Sequence, residues 1–152
     1  MKFVKLYLAG MVLGSWLSFP FLGKQTIKRF FPAALFISLF VFGESFVARK
    51  RVWWWFYKIG IAPLIAGPFF VGTMWILKFT YGTFFRYIAV NLLVHFLFVY
   101  VIVDWFKRIG YASIVRLKKG QLLILFIFKA LILYVFQFCK EMSLSKAKQR
   151  FF

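Results

Sequence analysis

Carboxylates are the scarcest functional group in this sequence: Glu44, Asp104 and Glu141 are its only acids, against 21 Lys and Arg in 152 residues. Three scattered carboxylates and a lone histidine, His95, supply neither a metal cluster nor a nucleophile with its base, so acyl and phosphoryl chemistry lack machinery. Cysteine is as rare. Cys139 alone makes no internal disulfide and no thiolate cluster, and it is silent on redox compartment. No HExxH, Walker-type glycine loop or G-x-S-x-G occurs, and there is no internal repeat or low-complexity tract. No cofactor is expected. Polar surface is also short: 64% of the chain is hydrophobic, where a soluble domain has roughly 45–50%.

What is present is a series of apolar runs separated by cations. Five of them, roughly 6–23, 30–48, 59–77, 84–106 and 120–139, approach the ~20 residues an α-helix needs to cross a bilayer. Lipid leaves every backbone group to be satisfied internally, which admits only helices or closed barrels. These runs are continuous and do not alternate, so helices follow. The expected fold is an all-α integral membrane bundle of five helices with short basic loops, one transmembrane domain over 1–152. The first segment, MKFVKLYLAGMVLGSWLSFPFLG, begins like a secretory signal. Its apolar body is long for one and has no A-x-A-like cleavage site, so it is expected to remain as the first helix.

A net charge of +18 raises nucleic-acid binding, most directly at RKRVWWWFYK, residues 49–58. Trp53, Trp54 and Trp55 fall about 100° apart around a helix and offer no flat stacking face. A headgroup region accepts such a ring of amphipathic aromatics. Arg49, Lys50 and Arg51 before it then read as a stop-transfer flank touching anionic lipid, and nucleic acid is not an expected partner. Placing the N-terminus and the 49–58 and 107–119 connections on one side collects 11 cations against 9 on the other. The positive-inside rule is nearly balanced; the reading adopted is N-terminus inside and C-terminus outside.

Polar residues inside the apolar runs are the functional candidates, because they are costly to place there. Lys129 lies near the centre of the fifth run among thirteen Leu, Ile, Val and Phe. These supply roughly 4–8 kcal/mol, against about 2.5–3.5 kcal/mol for the lysine. Its plain reading is a snorkelling side chain; its sharper one is a buried partner for an acid or an anionic ligand. Glu44, the deepest acid, lies at a depth compatible with Lys129, and the two are expected to pair across the second and fifth helices. Tyr87, Asn91 and His95 repeat every four residues and make a polar stripe facing a neighbouring helix, or else a proton or ligand path. Asp104 is expected to be neutralised locally by Lys107 and Arg108. Gly10, Gly14 and Ser18 form a small-residue ridge for close helix approach, while Pro63 and Pro68 predict a kink or break in the third helix.

In composition alone the chain resembles small, basic, multi-spanning bacterial membrane proteins, a likeness that brings no functional residue with it. The expected location is the cell membrane, specifically a bacterial plasma membrane. The leading expectation is a non-enzymatic component that binds anionic lipid, and a membrane-protein partner or a second copy of itself. A small transporter or channel using Glu44, His95 and Lys129 is the first alternative, and a lipid-modifying enzyme the second.

Overall fold

The computed structural model describes residues 2–56 and 59–150; Lys58, among the cations assigned to the 49–58 connection, lies outside the described residues. The elements run α1 (Lys2–Ser18, drawn out by a 3-10 turn Phe19–Leu22), α2 (Lys24–Lys50), β1 (Trp54–Phe56), α3 (Ala62–Thr80), α4 (Phe84–Arg108), β2 (Ala112–Ile114) and α5 (Lys119–Arg150). All five helices are long and apolar enough to cross a membrane.

Helix ends differ from the ends of the apolar runs for a physical reason. Lys, Arg, Gln and Glu are good helix formers, so charge ends a hydrophobic run without ending a helix. α2 therefore starts at Lys24 rather than 30, and α5 continues to Arg150 rather than 139. α3 is displaced in the other sense, beginning at Ala62. Gly60 sits in the left-handed region at φ 75°, which ends helical continuity, and Pro63 occupies the first turn, where a missing N–H costs little. The expected break in α3 is a five-residue π-helical stretch, Ile65–Phe69, containing Pro68. A second π-helical stretch in α4, Phe98–Ile102, was not foreseen, since FVYVI holds neither proline nor glycine.

α2, α3, α4 and α5 form a ring in which each packs on the next, with α1 outside against α3. The middle is filled by Ala33, Ala34 and Ile37 of α2, Val71, Met74 and Leu77 of α3, Tyr87 of α4, and Ala130 and Leu133 of α5. α1 approaches α3 at Gly67, where an added Cβ would come within 2.9 Å of the Val12 backbone. The Trp16 indole donates to the Ala66 carbonyl and the Trp75 indole to the Ser18 hydroxyl, both at 3.2 Å. This corrects the expected ridge: Gly10 and Gly14 point outward with open space around them, and the small residue that permits close packing is on the partner helix. Many large apolar side chains lie on the outside of the bundle, Leu17, Leu39, Phe85, Ile124 and Phe128 among them, a pattern water-soluble monomers rarely show.

The fold is not wholly helical. β1 pairs antiparallel with β2, Trp54 opposite Ile114 and Phe56 opposite Ala112, and ties the α2–α3 connection to the α4–α5 connection at one end of the bundle. Tyr111, buried beside this sheet, donates its hydroxyl to the Gly60 carbonyl at 2.7 Å. Burial pushes its phenol up to about 12.

Candidate functional site

The antiparallel seam between α2 and α5 carries charge at both ends. At depth, the Lys129 Nζ donates to Glu44 Oε2 at 2.6 Å, with the lysine side chain 6% and the glutamate side chain 14% exposed. The expected pair is therefore made. The Lys129 ammonium also lies 4.6 Å from the centre of the Phe126 ring, one turn back on α5, a cation–π arrangement that compensates part of its lost hydration. Removing one member of such a buried pair leaves an uncompensated charge, whereas removing both is far milder. The geometry makes Glu44–Lys129 a clamp between helices.

The Tyr87, Asn91 and His95 stripe does face α5, though its members behave differently. The Tyr87 hydroxyl donates to the Ala130 carbonyl at 2.8 Å, fixing the turn of α5 that bears Lys129. Asn91 is buried but donates to the Tyr87 carbonyl of its own helix at 2.8 Å. His95 is half-buried, its ring 5.2 Å from Phe126. The structure thus gathers Glu44, Lys129, Phe126 and His95 around one level of the bundle.

The opposite end of the seam was not anticipated. Arg29 of α2 holds Glu141 of α5 through two bonds, at 2.6 and 2.8 Å, while Gln137 donates to the same carboxylate at 2.7 Å. The Arg29 guanidinium also lies 5.2 Å from the Tyr81 ring centre, in the α3–α4 connection. Asp104 departs from expectation as well. Its hydrogen-bonded partner is Lys119 of α5, at 2.7 Å, rather than Lys107 or Arg108 on its own helix, because the fold brings the start of α5 alongside the end of α4. All three acids therefore engage in ion pairs between helices, and each pair includes α5. Among the described residues no group of three His, Cys, Asp or Glu could hold a metal ion.

The tryptophan run is not helical: Trp54 and Trp55 lie in β1. Strand alternation turns Trp54 inward against Ala48, Val99 and Leu122 and leaves Trp55 exposed. Trp53 is half-buried, while Arg49, Lys50 and Arg51 are exposed as expected. Lys50, Arg51 and Trp53 border an open cleft of about 600 Å³ with Arg116, Leu117 and Gln121. Arg116 and Gln121 escaped the sequence reading because they join Arg51 only through the β1–β2 pairing. The signal for Arg29–Glu141 was legible in principle: antiparallel helices paired at Glu44 and Lys129 place those two residues near one level, about 18–22 Å farther along by helical rise.

Fold and site together define a class: a helical bundle with five helices fit by length and composition to cross a membrane, clamped through α5. No protein-family model, curated protein or solved structure matches the chain, so its chemistry rests on its own residues.

Proposed function

We propose that the chain is a five-span, non-enzymatic protein of a cell membrane, in particular a bacterial plasma membrane, whose basic ends bind anionic phospholipid. The observation that carries this reading is the division of the surface: large apolar side chains cover the flanks of the helices, and the exposed cations Arg49, Lys50, Arg51, Arg116 and Lys118 gather where helices end. Each cation near an anionic surface is worth about 1 kcal/mol. The carrier alternative needs Glu44 available to exchange a proton or ligand, and its contact with Lys129 supports the binding reading instead. A membrane-protein partner or second copy would meet the outward face of α1, where Leu6, Leu13 and Leu17 are exposed.

Reconstitution into vesicles of rising phosphatidylglycerol content tests this. Thermal stability is expected to climb with anionic lipid and to fall back in ~1 M salt, where the Debye length is about 3 Å. Stability indifferent to both would sink the reading. The proposed topology puts the termini on opposite faces; cysteine labelling at each end, with the exposed Cys139 replaced, checks it, and labelling of both from one side would require an even number of spans.

A further inference from the structure

The cleft at the β1–β2 end has features that a diffuse basic rim lacks. Its walls come from two sides: Lys50 ends α2 and Arg51 and Trp53 follow it, whereas Arg116 and Leu117 follow β2 and Gln121 lies in the first turn of α5. Resting on the reading above, we infer that this cleft is a discrete site for the phosphate of an anionic phospholipid, gripped by the forked guanidinium groups of Arg51 and Arg116.

Charge is the first support. Among the described residues three cations and no acid line the cleft, and Glu44, Asp104 and Glu141 are each engaged by a cation elsewhere. The cleft cations thus lie together without a carboxylate from the cleft walls, a concentration of like charge that an anion relieves. Arginine adds geometry, since its planar fork matches two phosphate oxygens where an ammonium acts as a point charge.

Backbone construction is the second. Val52, between Arg51 and Trp53, is the one non-glycine residue with positive φ among the described residues, at 55°, an uncommon conformation for a β-branched side chain. It is held there by neighbours: Trp53 N–H donates to the Ala48 carbonyl at 2.9 Å, Val115 N–H to the Trp53 carbonyl at 3.1 Å and Arg116 N–H to the Val52 carbonyl at 3.3 Å. That last bond brings the backbones bearing Arg51 and Arg116 side by side. Strain retained by surrounding structure is typical of binding sites. Gln121 accepts the Lys118 N–H through Oε1 at 3.0 Å, which directs its amide nitrogen to serve as a donor. The positive end of α5 lies at the same place.

Position is the third, and it selects a lipid over a soluble phosphate. One turn deeper along the same two helices, Val47 and Ile124 are exposed. They offer apolar surface to acyl chains one turn below the level where the headgroup is held, with Trp53 at the boundary, the depth indole side chains favour.

The test is a titration of the full chain in phosphatidylcholine nanodiscs with short-chain phosphatidylglycerol, read by calorimetry, with inorganic phosphate as a parallel ligand. Arg51→Gln with Arg116→Gln should weaken lipid binding about tenfold or more, whereas the same charge loss at the opposite rim, Lys24→Gln with Lys28→Gln, should change it about twofold or less. Arg51→Lys with Arg116→Lys keeps the charge and the fold but loses the fork; an intermediate loss is expected even if the glutamine pair fails to fold. Equal weakening by both glutamine pairs would reject the site and leave the general lipid reading standing. Unchanged affinity in the lysine pair would overturn the forked grip. Inorganic phosphate binding as tightly as the lipid would make the ligand a soluble anion, and an unmodified chain indifferent to phosphatidylglycerol would remove both readings together.

Discussion

The two ends of the α2–α5 seam use the same chemistry under different conditions. Glu44–Lys129 is nearly closed off, with side chains 14% and 6% exposed; Arg29–Glu141 is half open, at 53% and 29%. Their polarity is reversed, with the acid on α2 at one end and on α5 at the other. A slide of α5 along α2, or a reversal of its direction, would bring unlike partners out of register at both ends. The deep pair enforces this strongly because its members have few alternatives to each other. At the rim, water and salt can replace the partner, and the pair's worth there depends on its forked geometry and on Gln137.

Breaking the deep end should therefore cost most. Lys129→Met is expected to lower the unfolding free energy in mixed micelles by about 3–5 kcal/mol, with Glu44→Gln in the same chain recovering much of the loss. Additive losses in that double-mutant cycle would show that the two residues do not act as a pair. Tyr87→Phe, which deletes the hydroxyl anchoring the turn that holds Lys129, should cost about 1 kcal/mol and should reduce the coupling measured between Glu44 and Lys129. Arg29→Gln at the open end should cost roughly 0.2–1 kcal/mol, and that difference should shrink in high salt while the Lys129→Met effect persists. Asp104→Asn, whose carboxylate is exposed, should leave stability unchanged within error. An Arg29 effect as large and as salt-resistant as that of Lys129 would erase the distinction between the two ends.

What could be read in advance follows the same division between costly and cheap placements. Long apolar runs have one stable form in lipid, so the five helices were legible. Glu44 and Lys129 were legible as a pair because each is expensive alone and their depths agree. Asp104 misled because a partner on its own helix is always available on paper, whereas the choice of Lys119 depends on how α4 and α5 meet. The β1–β2 pairing was hidden for a related reason. Three-residue strands carry almost no periodic signal, and WWF and ASI find each other only because the helices deliver their connections to one end. Trp54 faces inward as a result, and with it the cleft containing Arg116 and Gln121 comes into being.

The dependence of every acid on α5 also has a meaning in time. Lys129 follows Glu44 by 85 residues, an interval of roughly 4–17 s at ordinary rates of synthesis. Throughout that interval α2 carries a carboxylate whose partner does not yet exist. A nascent chain ending before α5 leaves Glu44 without its ion-pair partner, and the arrival of α5 is the event that closes the seam along α2.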